Sequence, residues 1–256
     1  MDGPTTATGD ERSAPVASRA LVVVPALNEA PSVGAVVQSI RTDLPHADTL
    51  VVDDHSSDET AYEARRAGAT VAQLPCTLGV GGAMRTGYRY ALEHGYDVVV
   101  QVDGDGQHDT RHLQELVDGL AHADVVIGAR FAGADPYAVG RARRGVMLLL
   151  ARVLSTLLGV RLTDVTSGYR AVGPRALRVY AENYPAEYLG DTLEALVIAR
   201  RCGLQVVQVP VRMTAREHGS PSQGLLRSAV YLGRALAAIG LGMVRRWSCE
   251  PAGEVL

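Results

Sequence analysis

The sequence predicts an α/β fold, a mostly parallel central sheet flanked by helices. Two observations predict it. Short β-branched runs alternate with longer stretches of helical period, the pattern of buried parallel strands joined by crossover helices. Polar loops rich in acids follow the carboxyl ends of those runs, where open α/β sheets bind ligands. Composition agrees: of 256 residues, 47% are apolar and 21% charged, as in ordinary folded proteins.

Taken in order, residues 1–18 are rich in Gly, Pro, Thr and Ser, lack periodicity and read as a flexible tail. Strands are expected at 20–24, ended by Pro25, at 50–52, ended by Asp53 and Asp54, at 97–102, ended by Asp103, at 123–127, ended by Gly128, and at 205–211. Helices are expected at 32–41, 59–67, 83–93, 111–122, 144–160 and 192–202. Residues 19–224 form one domain by this reading, and residues 225–256 form an amphipathic helix and tail.

The net charge of −3 shows no global pull toward nucleic acid. All 25 basic residues are Arg, so no Schiff-base or Walker-type lysine exists. Cys76, Cys202 and Cys249 are far apart and form no CxxC, so neither a disulfide framework nor a zinc site is expected, and a reducing cytoplasm is the default. Acids at Asp2, Asp10 and Glu11 argue against a secretory signal. No uncharged apolar run reaches the ~18 residues of a membrane span.

Asp103 and Asp105 follow a buried strand with one glycine between them, so both carboxylates can reach one hard cation, Mg²⁺ or Mn²⁺, beside substrate phosphate oxygens. Gly104 permits close ligand approach. The run LGVGGAMRTG (78–87) leads into a helix. Either it presents N–H groups and Arg85 to a phosphate, or it is a tight helix entry. Asp191 is either a helix N-cap or an acid that serves the acceptor.

In order, the segments VVVPALNEA, VVDDHSSDET, LGVGGAMRTG, VDGDGQHD, IGAR, DVTSGYRAV and VPVRMTAREHG resemble family 2 glycosyltransferases of the GT-A fold, and within them the polyprenyl-phosphate glycosyltransferases of the dolichol-phosphate mannosyltransferase type. The resemblance spans about residues 20–245. It implies that Pro25, Leu27, Glu29, Val52 and Asp54 line the base and ribose pocket, that Asp103, Asp105 and Gln107 hold metal and diphosphate with Gly104 beside the ribose, and that Arg216 closes over the donor. It further implies that Arg130 meets the acceptor phosphate or the diphosphate, that an Arg such as Arg144 is a second phosphate clamp, and that the segment with Ser167 and Arg170 lies beside the acceptor. Where the family's closing loop usually carries Lys, this chain has Ser222 or Gln223.

The activity so implied is inverting, metal-dependent transfer of a sugar from a nucleotide-sugar, GDP-mannose or a UDP-hexose, to a polyprenyl phosphate. A soluble transferase acting on a hydroxyl is the alternative, and a nucleotidyltransferase a distant one. Arg227 and Arg234 on one face, closed by Arg245, Arg246 and Trp247, suit a helix in the headgroup layer. The implied partners are the donor, a lipid-phosphate acceptor and the membrane surface at its inner face, with a homodimer as a further option.

Overall fold

The computed structural model describes residues 19–130, 162–185 and 191–213, with positions 145, 151–152, 155–156, 159, 240, 245 and 247–249. The expected tail at 1–18, Arg144, Arg216, and almost all of the 144–160 and 225–247 helices lie outside them.

Strand β1 (Ala20–Ala26) is buried on both faces because its side chains alternate between two cores. Leu21 and Val23 join one apolar cluster, Val22 and Val24 the other. Parallel to it run β2 (Asp48–Asp53) on one side and β4 (Val98–Gln101) on the other. β3 (Thr70–Gln73) extends the β2 edge. Beyond β4 come β6 (Arg170–Val172), β5 (Val125–Ala129) and β7 (Val206–Pro210), giving the order β3-β2-β1-β4-β6-β5-β7. The chain leaves β1 toward one side and later returns to its other side, so the switch point lies between β1 and β4.

Among the described strands only β6 runs against its neighbours: Arg170 lies opposite Gln101 of β4 and Ile127 of β5. Because β6 is antiparallel, the loop that enters it (163–169) lies at the carboxyl edge of the sheet.

Helices α1 (Ala30–Asp43), α2 (Thr60–Arg66) and α4 (Leu113–Gly119), the last preceded by a 3₁₀ turn at Thr110–His112, cover one face. The other face is covered by α3 (Gly79–Glu93), α5 (Pro174–Asn183) and α6 (Asp191–Arg201). Pro31 and Pro174 stand in first turns, where no N–H is needed. Gly87 lets α3 rest directly on β1, since a Cβ there would lie 2.5 Å from a Val23 methyl. The expected helix at 111–122 is thus shorter, and ends at Gly119.

The cysteine expectation is corrected. Cys202 and Cys249, 47 residues apart, form a disulfide with their Cα atoms 5.0 Å apart. Asn183 Nδ2 donates to the Ser248 carbonyl at 2.9 Å, and Trp247 packs on the α3–α5–α6 core. The spacing hid the pair because only tertiary folding brings α6 and residues 247–249 together. Cysteine usage therefore does not argue for a reducing compartment. Among the described residues no helix is long and apolar enough to cross a membrane.

Candidate active site

At the carboxyl edge, the loops after β1 and β2 are tied into one platform. Asn28, at φ 56°, accepts the Ser57 N–H at 2.8 Å through Oδ1, while its own N–H donates to Ser56 Oγ at 2.9 Å. The Glu29 N–H donates to Thr60 Oγ1 at 2.9 Å. Asp58 accepts from the Thr60 hydroxyl and main chain and from the Ala30 N–H. Burial pulls the Asp58 carboxyl upward, but these hydrogen bonds outweigh it and hold the group below its ordinary range. Leu27 stands exposed on this platform. Pro25 and Val52 are buried beneath it, in register with each other, so they support the edge by packing.

Asp54 faces a different partner from the one expected. Its two oxygens accept the N–H groups of Leu78 and Gly79 at 2.7 and 2.8 Å. The carboxylate therefore neutralises the N-terminus of α3. The glycine-rich run spends those two donors on the protein itself, and Arg85 reaches away to the Glu182 carbonyl on α5 at 2.7 Å. Of the two readings of this segment, these bonds favour the helix entry, capped from β2. The motif cannot show this, since a helix N-terminus attracts its own side chain and a ligand alike.

The end of β4 presents Asp103, Gly104 and Asp105 close to the switch point. Gly104 approaches β1: a Cβ there would sit 3.4 Å from the Pro25 carbonyl. Gln101, buried in β4, donates through Nε2 to Asp103 Oδ1 at 3.1 Å. The Asp103 N–H donates to His108 Nδ1 at 3.0 Å, which leaves the ring proton on Nε2, 3.5 Å from Asp103 Oδ2. Asp105 Oδ1 accepts the Gln107 N–H at 3.0 Å, closing an Asx turn. Gly168, from the loop before β6, leaves room for this arrangement. A Cβ there would lie 2.7 Å from Gln101 Nε2 and 3.3 Å from Asp103 Oδ1.

These donors fit a divalent metal. Two hard carboxylates stand one residue apart on a strand end, and Gln101 Oε1 beside them is buried without a partner. Among the described residues no cluster of three or more His, Cys, Asp or Glu surrounds a single point. A hard divalent ion bound here would need further oxygen ligands from a substrate or water.

Across β6, the end of β5 carries Arg130. Its Nε and Nη2 donate to the two oxygens of Asp164 at 2.6 and 2.9 Å, and Nη2 also reaches Thr166 Oγ1 at 2.7 Å. Burial pushes the Asp164 carboxyl up, but the Arg130 hydrogen bonds and charge prevail and hold it below its usual range.

Arg170 and Ser167 stand apart from the surface. Arg170 is 1% exposed, and its Nη2 donates to the Ser167 carbonyl at 2.9 Å. Its charge acts on Tyr88, Tyr180, Tyr184 and Asp191. Their expected contact with the acceptor is corrected to a supporting place, because β6 is inserted between two strands and its first side chain is interior. Asp191 begins α6 at 8% exposure. Burial raises its carboxyl, the Arg170 charge opposes without cancelling, and Asp103 raises it further.

The chain leaving β7 crosses this site. Met213 bridges His108, and the Arg212 N–H donates to His112 Nε2 at 3.1 Å. Residue 216 is three positions beyond. Sequence reasoning missed Gln101, His108 and Gly168, and placed Asp164 in the segment beside the acceptor without assigning it to Arg130. A histidine directly after GDGQ was the one visible signal.

The Glycosyl transferase family 2 model matches residues 21–180. Undecaprenyl-phosphate mannosyltransferase of Micrococcus luteus is 32% identical, over 90% of this chain and 96% of its own. Polyprenol monophosphomannose synthase of Mycolicibacterium smegmatis is 31% identical, over 78% and 79%. Among solved structures, glucosyl-3-phosphoglycerate synthase of Mycobacterium tuberculosis with phosphoglyceric acid superposes at a TM-score of 0.70 with 22% identity, covering 91% of this chain and 82% of its own. The same enzyme with Mn²⁺, UDP and glucosyl-3-phosphoglycerate superposes at 0.66, again at 22% identity and with the same coverage. The fold is thus of the GT-A type, and the chain belongs to glycosyltransferase family 2.

Proposed function

We propose that this enzyme transfers a hexose from a nucleotide-sugar, GDP-mannose or a UDP-hexose, to a polyprenyl phosphate with inversion at the anomeric carbon. The observation that carries the reading is the sharing of one sheet edge. The carboxylate pair Asp103 and Asp105 ends β4, and Arg130, anchored on Asp164, ends β5, with only β6 between them. Relatives named for undecaprenyl phosphate and polyprenol monophosphate support the acceptor class.

In this mechanism Leu27 and Glu29 face the nucleoside on the β1–β2 platform, and Gly104 admits the ribose. Asp103, Asp105 and Gln107 would hold a divalent ion, Mg²⁺ or Mn²⁺, which would supply positive charge to the departing diphosphate. Arg130, its plane set by Asp164, presents its guanidinium charge to a phosphate. An acceptor phosphate oxygen forms the new bond to the anomeric carbon from the face opposite the diphosphate, whose C–O bond breaks. The phosphate is already ionised near neutral pH, so no general base is required. Arg144 and Arg216 add clamps on acceptor and donor. The arginines and Trp247 of the stretch at 225–247 would suit contact with the headgroups of the lipid acceptor.

A hydroxyl acceptor is the second reading, and Asp191 favours it. A buried carboxyl raised by its surroundings at the same edge is suited to accept a proton. The deciding experiment follows donor turnover across a panel of nucleotide-sugars with Mn²⁺ or Mg²⁺, with and without polyprenyl phosphate. Glycolipid formed only with the lipid supports the proposal. Transfer to hydroxyl acceptors without lipid overturns it.

A further inference from the structure

Arg130 is held by a chain of contacts that begins on β7, three strands away from the carboxylate pair on β4. Gln208 lies in the middle of β7, opposite Ile127 of β5, three residues before Arg130 on that strand. Its side-chain amide is bonded at both ends to the loop entering β6. Oε1 accepts the Thr163 N–H at 2.7 Å and the Thr163 hydroxyl at 3.0 Å, and Nε2 donates to the Asp164 carbonyl. Asp164 in turn uses both carboxylate oxygens on Arg130 and accepts the Arg130 main-chain N–H at 3.2 Å. The Thr166 N–H and hydroxyl, each 3.2 Å from Asp164 Oδ1, fix the carboxylate from its other side.

We infer that Gln208 and Asp164 are positioning residues for phosphate recognition: together they fix the plane of the Arg130 guanidinium at the sheet edge. The inference rests on the reading of Arg130 as a phosphate contact and goes beyond it. A long, flexible arginine side chain loses rotamer freedom when a ligand fixes it. A side chain restrained on two edges before the ligand arrives has less of it left to lose on binding. The Asp164 side chain is 1% exposed and that of Arg130 12%, so the pair is well sheltered from solvent screening. Gln208 is a sensitive place to test the idea. Its main chain pairs in the sheet whatever its side chain, and it carries no charge.

The shared ligand chemistry is a phosphate oxygen, which the acceptor monophosphate or the donor diphosphate can supply. Two titrations of the full chain separate them, one with farnesyl phosphate, the other with Mn²⁺ and UDP or GDP. They are run on wild type, Arg130→Gln, Asp164→Asn, Gln208→Met and the double variant Arg130→Gln/Gln208→Met, each with its melting temperature. Arg130→Gln is expected to weaken one of the two ligands about tenfold, and Gln208→Met to weaken the same ligand severalfold, with no further loss in the double variant. A general loosening of the fold would weaken both ligands and add in the double variant, and that outcome overturns the inference. So does a Gln208→Met protein that binds both like wild type. If Arg130→Gln itself binds both normally, the phosphate reading of Arg130 falls, and the inference with it. Should Asp164→Asn fail to fold, the Arg130–Gln208 cycle decides alone.

Discussion

The main-chain N–H of Asp103 donates to Nδ1 of His108 at 3.0 Å, across a loop of only four intervening residues. The imidazole also lies flat on the Tyr169 ring, with centroids 4.6 Å apart. The carboxylate that ends β4 is therefore aimed by a histidine whose own orientation is set by the residue before β6. His108→Phe keeps the stack and removes the acceptor. It is expected to lower stability by about 1–3 kcal/mol, the penalty of a buried donor left unmade, and to weaken Mn²⁺–nucleotide binding. Denaturant melts and a Mn²⁺ titration check both effects.

Gly168→Ala tests the same carboxylate from its other side. The new methyl would meet Gln101 Nε2 and both Asp103 oxygens. Metal-dependent turnover should fall about 10²-fold, the scale of losing one electrostatic contact to developing charge. Circular dichroism should be unchanged. A variant as active as wild type would show that Asp103 is not held in this position during catalysis.

Arg130 and Asp164 link activity to acid stability. Asp164 is held below its ordinary value when folded, so the stability it contributes is complete above the unfolded value of about 3.9 and disappears as pH falls through the folded one. Arg130→Ala leaves a buried carboxylate without its cation, at a cost of about 3 kcal/mol or more. The expected result is a lower melting temperature at pH 7 and a weaker dependence of melting on pH below 4, alongside strong loss of turnover. Thermal melts across pH 2–7 read the first two.

Asp191 has the opposite sign. Its folded carboxyl is raised, so its favourable contribution is present below the unfolded value of about 3.9 and is lost as pH rises through the folded one. At neutral pH, Asp191→Asn should therefore match or exceed wild type in melting temperature. With a lipid phosphate as acceptor, its turnover should stay within about tenfold of wild type, because no base is needed. With a hydroxyl acceptor the loss should reach about 10²–10⁴-fold.

Reducing the Cys202–Cys249 bond, or Cys249→Ser, releases a 47-residue loop. In the chain-entropy account this lowers stability by about 4 kcal/mol. Melting with and without a dithiol measures it. A shift below 1 °C would mean that residues 247–249 stay docked through Trp247 and Asn183 alone.

Much of the sheet and its edge was legible because buried parallel strands announce themselves as apolar runs and because acids gather where those runs end. The three-residue β6 was not. It is too short for periodicity, and its antiparallel course follows from pairing with Gln101 and Ile127. For that reason Arg170, expected beside the acceptor, proves to be interior. Asp54 was rightly placed at a strand end, yet its partner is the α3 N-terminus, 24 residues along the chain.

By itself the sequence determined the family, the strand ends and the acids at 103 and 105, since each is a local pattern of residue types. Tertiary structure decided which of those groups are engaged by the protein's own main chain and side chains. A carboxylate or guanidinium takes whichever oppositely charged or hydrogen-bonding group folding brings within 3 Å, and that distance is not written in spacing along the chain.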